Sequence, residues 1–471
     1  MPAAQQSASQ FNPRRAWYAL SILILLYCMS FLDRLIISLL APSISEHLQV
    51  SDTQIGVLFG LGFGVVYALT GLPLAHLVDR RHRVSLVAAG VALWSICTVA
   101  SGFAPNYTWL IILRAGVAVG EAVLSPAAIS IIADVFPREK RTLPTTAYTA
   151  VSTFMGSGSF IIGGLALQWA TNLSDSFGLE PWQLTLVFVG LPGLLLAPLF
   201  LFTVPEPPRT GDVKNQRYST AADAIAYLKK ERWLYGCIFV AAALTTTISF
   251  AKTAWVPTLL IRGHGMSASE AGYAYGTVGL IAGLIGAALW PTLVKVWMSR
   301  GRRSALVTIF MFGLTANWVL LLVVGLTRSS TVLLTAAGLA NFFGTAGAVL
   351  IPLLVQLVTP GRMRGRIMAV YLMANNLVGM ALGPPLAAFL GDRLFEGPFA
   401  IGSGLAVMVF VAGPIASIAV WLMHKPFRRA LDEAEALEAA AAASPPESEH
   451  EKPAAAPIGG AAGVLGGGKA G

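Results

Sequence analysis

The chain has 471 residues, of which 55% are hydrophobic and only 12% charged, about half the charged fraction of an ordinary soluble domain. That excludes a simple globular fold, because so much apolar surface must face lipid as well as a core. The formal net charge of +9 would point to nucleic acid in a soluble chain, but here the basic residues sit at the ends of long apolar runs, which points to a bilayer.

In chain order, a polar N-terminal stretch leads into an apolar run at 17–41. It is too long for a signal-peptide core and no small-residue cleavage site follows it, so it reads as a retained first span. Runs at 54–75, 84–103, 108–133, 143–170 and 182–204 follow, each near the roughly 20 residues that cross a bilayer. A polar break at 205–232 opens with Pro205-Glu206-Pro207-Pro208-Arg209. Within it, Ser219 or Thr220 is expected to cap a short surface helix ending at Lys229 and Lys230. Six more runs occupy 233–261, 272–294, 304–327, 330–358, 366–390 and 400–423. The remainder, 426–471, is Ala/Glu-rich, then Ser/Pro- and Gly-rich, and reads as a disordered tail. The expected fold is all-α and polytopic, with a first half at 1–204, a linker at 205–232 and a second half at 233–425.

Of 32 Lys and Arg, three lie inside spans (Arg34, Arg114, Lys252) and two in the tail (Lys452, Lys469). If the N-terminus and even-numbered loops share one side, that side holds 24 of the others, including Lys214, Arg217 and Arg303, against Arg262, Arg328 and Arg393 opposite. This is the positive-inside rule obeyed at every loop, and it places both termini in the cytoplasm. A repeat supports two related halves. Pro137, Arg141, Tyr148 and Gly156 recur as Pro360, Arg364, Tyr371 and Gly379 at an offset of 223 residues, at the same topological place in each half.

Five charged residues lie within spans: Asp33 and Arg34 in span 1, Arg114 and Glu121 in span 4, and Lys252 in span 7. Each costs roughly 2.5–3.5 kcal/mol at the bilayer centre, so they are expected to face protein or a watery cavity, and to pair. Asp33 and Arg34 point about 100° apart, while Arg114 and Glu121, seven residues apart, share a face. One reading is structural, with two buried ion pairs pinning spans 1 and 4. The other is that Asp33 or Glu121 carries a proton through a transport cycle, Asp33 being favoured by its neighbour Arg34. Lys252 has no acid in the second half. It is expected to snorkel, to pair with Asp33 or Glu121, or to meet an anionic substrate.

Polar residues such as Asn317, Asn341 and Asn375 and aromatics such as Tyr371 complete the belt. Tyr371, Asn375, Arg34, Arg114 and Lys252 form the expected substrate contacts. The mixture of many apolar groups with few charges suits an amphiphile better than a polyol. No phosphate-binding glycine loop is present, so ATP does not drive the machine directly. The six histidines are scattered, and neither metal nor cofactor is expected. The expected partners are a small amphiphilic lipid or organic anion, protons and the bilayer, with no nucleic acid, and the chain is read as a monomer that is no enzyme.

The loop Ala75-x-x-x-Asp79-Arg80-Arg81-His82-Arg83 resembles the G-x-x-x-D-R-x-G-R signature of the major facilitator superfamily, with both glycines replaced. The resemblance implies two six-helix halves around a central site. It also implies that Asp79, Arg80 and Arg83 gate the cytoplasmic side against span 11. A narrower set runs from Asp33-Arg34 through Ser51-Asp52-x-x-x-Gly56 to Arg114-x-x-x-x-x-Gly120-Glu121-Ala122-x-x-x-Pro126. It continues with Ala133-Asp134-x-Phe136-Pro137-x-x-x-Arg141 and Pro205-Glu206-Pro207. This set is similar to the Spinster family of lysolipid and sphingosine-phosphate carriers. It implies proton-sensitive acids at Asp33 and Glu121, with Arg34 as their partner, and adds Asp134, Arg141 and Arg364 to the gating set. Arg364-Gly365-Arg366 and Gly383-Pro384 carry the likeness in the second half, and Ser30-Phe31 replaces an expected Asn-Tyr. Organic-anion symporters share the span 4 and Phe-Pro-x-x-x-Arg patterns, but have a Trp where this chain has Val135. Drug:proton antiporters and a non-transporting sensor are further alternatives.

Overall fold

The computed structural model describes residues 12–209, 221–302 and 304–443. The expected cap at Ser219 or Thr220, the basic residues Lys214, Arg217 and Arg303, and the tail beyond 443 with Lys452 and Lys469 lie outside them. Among the described residues, twelve helices are long and apolar enough to cross a membrane, and each coincides with one expected run. They are Pro13–Leu48, Asp52–Arg80, Arg83–Ser101, Tyr107–Val135, Thr142–Phe177 and Pro181–Thr203, then Arg232–His264, Ala268–Ser299, Ala305–Leu326, Ser330–Val358, Met363–Leu394 and Ala400–Glu433. We number them spans 1 to 12.

Local chemistry sets the ends. Asn12 caps span 1 ahead of Pro13, which supplies a fixed φ where no amide hydrogen is needed. Ser51 and Gln54 form a capping box on span 2, as do Ser267 and Glu270 on span 8, each satisfying two orphan amides. The linker helix spans Ala221–Lys230. One boundary differs. The last helix continues past Pro426 to Ala443, where the reading from 426 was a disordered tail. Its run of Ala, Leu and Glu has high helix propensity, which outweighs the missing apolar stripe.

The helix pairing repeats between halves. Span 1 packs on 5 and 6, and span 3 on 4 and 6; likewise span 7 packs on 11 and 12, and span 9 on 10 and 12. Tyr148 and Tyr371 are both buried, so the 223-residue sequence repeat marks equivalent structural places. Across the halves, span 5 packs on 8 and span 2 on 11.

The apolar core is divided in an informative way. One cluster joins both halves on the side away from the termini, with Ile36, Leu40, Ile55, Trp255, Leu259 and Tyr275 among its members. Nearer the termini the core splits in two. One cluster holds only second-half residues, and the other holds first-half residues plus Met380. Burial therefore holds the halves together at one face and leaves them separately packed at the other.

Candidate functional site

Span 4 is broken where its acid sits. Its first segment ends at Glu121 and its second begins at Leu124. Pro126 explains the break, because its ring clashes with the carbonyl four residues back and removes one hydrogen bond. Just before it, Gly120 lies against span 3. A Cβ there would meet the Gly90 carbonyl at 2.6 Å and the Trp94 nitrogen at 2.9 Å, so only glycine lets the backbones approach this closely.

Two ion pairs then join spans 1 and 4. Arg114 Nη1 donates to Asp33 Oδ1 at 2.9 Å, and Thr98 donates to Asp33 Oδ2. Arg34 Nη2 donates to Glu121 Oε2 at 2.5 Å, and Ser30 donates to the same oxygen at 2.7 Å. The expected divergence of Asp33 and Arg34 is realised: each turns to a different residue of span 4. Arg34 pairs with Glu121 rather than with its neighbour in sequence, so the adjacency that favoured Asp33 does not translate into contact. The two acids also differ. Both Asp33 oxygens are engaged, whereas Glu121 Oε1 is buried with no hydrogen-bond partner.

A third element completes this cluster. Span 2 contains a π-helical turn at Gly60–Val65, a feature frequent at functional sites. It places the Phe63 ring 4.9 Å from the Arg34 guanidinium and 5.7 Å from that of Arg114. Tyr67, its ring stacked 5.7 Å from that of Phe63, lies 5.1 Å from the Arg34 guanidinium. Such cation–π contacts are worth about 2 kcal/mol when desolvated. Tyr67 belongs with the aromatics of the sequence belt, whereas no charge or motif in the sequence flags Phe63 or Thr98. The Arg34 side chain remains 18% exposed while that of Glu121 is fully covered. Arg34 and Arg114 border a small cavity walled by Phe59, Phe63, Phe250, Met380 and Pro384.

Lys252 occupies a different cavity, of about 280 Å³, in the second half. It is only 5% exposed and donates to Asn341 Oδ1 at 2.8 Å. Asn341 in turn donates to the Gly279 carbonyl at 2.6 Å. Lys252 therefore neither snorkels nor pairs with Asp33 or Glu121. Asn317 Oδ1, which lines the same cavity, is buried and unpartnered. Thr253 borders both cavities. Asn375 accepts from Thr246 at 2.6 Å and Tyr371 packs in the second-half core; neither lines either cavity.

The expected gating residues separate into groups. Arg83 is fully buried. It pairs with Asp134, donates through Nε to Glu206 at 2.8 Å, and donates through Nη2 to the Pro207 carbonyl at 2.6 Å. Burial alone would push the Glu206 carboxyl up. Hydrogen bonds from the Val84 amide and from Arg83 outweigh it and hold the group below the usual glutamate range. Arg141 donates to the Phe136 carbonyl at 2.8 Å. Asp79, Arg80 and Arg364 make no side-chain hydrogen bond or ion pair among the described residues, so the latch implied between the span 2 loop and span 11 is not engaged.

The engaged contacts lie on the opposite side. Asp52 and Arg262 form an ion pair at 2.7 Å. Asp392 accepts from the Thr53 amide at 2.8 Å and its hydroxyl at 2.6 Å. Tyr273 donates to Gln168 at 2.8 Å. Span 11 packs along the first two segments of span 2 and touches its last segment, toward the termini, only slightly. The far side is closed. Of these residues the sequence had singled out Asp52 only within a motif, and Arg262 only as a rare basic residue on that side.

A two-half helical bundle with buried charges at its centre and one closed face is the architecture of an alternating-access carrier. The chain belongs to the Major Facilitator Superfamily, whose signature matches residues 23–378. It is 32% identical over 437 residues to an MFS-type efflux pump of Mycolicibacterium smegmatis, covering 90% of this chain and 96% of that protein. It is 26% identical over 391 residues to the sphingosine-1-phosphate transporter SPNS2 of Xenopus tropicalis, covering 78% and 72% of the two chains. Among solved structures, it superposes with a TM-score of 0.78 and 25% identity on a bacterial homologue of the human lysosomal transporter Spinster. That match covers 90% of this chain and 99% of the other, which was crystallised inward-facing and unoccupied. The fold and the transporter class expected from the sequence are thus established: this is a Spinster-like secondary transporter with twelve membrane spans.

Proposed function

We propose that this carrier moves an amphiphilic anion, such as a lysophospholipid or sphingosine phosphate, in exchange or company with protons. Both termini are taken to lie in the cytoplasm, with the chain in the cell's inner (plasma) membrane; the basic-loop asymmetry supports that orientation, and on it the closed far side corresponds to the inward-facing arrangement. The observation that carries the reading is Glu121: a buried carboxylate with one oxygen saturated by Arg34 and Ser30 and the other bare. A proton taken up at Oε1 neutralises the acid and loosens its hold on Arg34. The guanidinium, partly exposed to the cavity, is then free for an anionic head group. Asp33, fully engaged by Arg114 and Thr98, serves as the fixed anchor. The wall of Phe59, Phe250 and Met380 is apolar, as contact with hydrocarbon needs, but the cavity of about 30 Å³ has to widen to admit a chain; Lys252 with Asn341 and Asn317 offers further polar contacts.

A second reading, proton-driven drug efflux, is favoured by the 32% identity to an efflux pump. Flux into proteoliposomes under an imposed pH gradient separates the two, using a lysophospholipid and a cationic drug in parallel. The proposal expects gradient-driven lysophospholipid flux that loses its pH dependence in Glu121→Gln. Drug flux without lysolipid flux supports efflux, and unchanged pH dependence in Glu121→Gln removes this residue as the proton carrier.

A further inference from the structure

Spans 7 and 12 enclose a groove of about 690 Å³ on the outer surface of the second half, at the end of the bundle nearer the termini. It is separate from both central cavities. Its floor is Gly236, where an added Cβ would meet no atom within 4 Å. Ile415, Ile418 and Leu422 of span 12 form the facing wall, and all three are exposed. The missing side chain at 236 therefore leaves an apolar trough open to the hydrocarbon.

The mouth has the opposite character. Arg232 and Trp233 stand at its entrance, with Trp233 73% exposed, as suits an aromatic at the head-group level. One turn past Leu422 comes Lys425, and then Arg428 and Arg429. The neighbouring acids are largely spoken for: Glu433 pairs with Arg429 at 2.8 Å and Glu231 with Lys230 at 3.9 Å, and Asp432 has a partner of its own. Arg232, Lys425 and Arg428 have no carboxylate partner among the described residues. An apolar trough ending in unpaired cations at a membrane surface matches an anionic lipid, with acyl chain below and phosphate above.

We infer that this groove is a binding site for an anionic diacyl phospholipid of the leaflet on the terminus side, distinct from the transported molecule. The lipid's acyl chain lies over Gly236, and its phosphate meets Arg232 together with Lys425 or Arg428. The linker helix enters span 7 immediately before Arg232, so an occupied site fastens the linker to the second half.

The test uses the full chain purified in a neutral detergent, with unfolding midpoints measured with added phosphatidylglycerol, phosphatidylcholine or glycerol 3-phosphate. The expected result is a rise of at least about 2 °C with phosphatidylglycerol alone, since a ligand that binds only the folded state stabilises it by mass action. Gly236→Leu fills open space, so it should leave the lipid-free midpoint unchanged and abolish the rise. Arg232→Gln should abolish the rise as well, and it decides the matter should Gly236→Leu fold poorly. Glu121→Gln should retain the rise, which separates this groove from the transport site. An equal rise with phosphatidylcholine or glycerol 3-phosphate overturns the inference. So does a phosphatidylglycerol-specific rise that survives Arg232→Gln, or one lost in Glu121→Gln.

Discussion

At the scale of single residues, the two ion pairs of spans 1 and 4 have unequal structural weight. Asp33 and Arg114 are both nearly fully covered, so removing one leaves the other as a buried charge without a counter-ion. Arg114→Met is expected to destabilise the protein by about 3–5 kcal/mol. The double variant Asp33→Leu with Arg114→Met should recover much of that loss, because a buried pair can be replaced by apolar groups at little cost. Thermal unfolding of the three variants measures the coupling directly; a double variant no better than the single would show that the pair does not act as a unit. The charges themselves were legible in the sequence, because ionisable residues in a span are expensive and therefore conspicuous. Which acid pairs with which arginine was not, because the partner depends on the rotation of span 1 against span 4. For the same reason the bare oxygen of Glu121, and the Phe63 ring beneath both guanidiniums, emerge only from the packed structure.

At the scale of helices, the position of Glu121 rests on two backbone devices, the break before Pro126 and the contact at Gly120. Gly120→Ala should force spans 3 and 4 apart, costing about 1–3 kcal/mol as other overpacked sites do. It should also reduce flux more than its stability loss explains, since it displaces the acid; flux per folded molecule is the measurement. Element positions were read well from hydropathy, since all twelve spans fall where the apolar runs lie. The helix beyond 426 was missed because its order does not come from an apolar stripe. The linker supplies a pH test. Glu206 is held below its ordinary range, so the stability it contributes is intact above about pH 4.3, the unperturbed value, and is lost as pH falls through its lowered value. Glu206→Gln should therefore lower the unfolding midpoint at neutral pH, and the gap from wild type should narrow as the pH drops below about 4. A gap constant with pH would show that the carboxylate charge is not what Arg83 and Val84 recognise.

At the scale of the whole molecule, the polar fastenings between halves among the described residues comprise Ser38, which donates to the Ala254 carbonyl at 2.6 Å inside the core, and a set at the far face. Asp52 with Arg262 and Asp392 with Thr53 hold the far side shut, while Asp79, Arg80 and Arg364 stand ready and unengaged on the other. Asp52→Asn together with Asp392→Asn should shift the population toward a far-side-open form. Labelling of a cysteine placed at Phe59, on the wall of the central cavity, by a membrane-impermeant reagent from the far side would then rise. Unchanged labelling would assign the closure to the shared apolar core rather than to these polar groups. The two-half plan was visible in the 223-residue repeat. Which face is closed was not, because one sequence must support both arrangements, and nothing local distinguishes them.

The placement of Lys252 has an electrical consequence. Asp33 and Glu121 cancel Arg34 and Arg114, so a protonated Lys252 leaves the five intramembrane charges summing to +1. An empty carrier in that state reorients with one uncompensated positive charge, and so does a carrier with Glu121 protonated and a monoanion on Arg34. Moving a full charge across 100 mV is worth about 2.3 kcal/mol, so the membrane voltage acts on the loaded stroke and on the empty return, in opposite senses. Solid-supported-membrane currents should show this as a voltage-dependent turnover that becomes voltage-independent in Lys252→Gln.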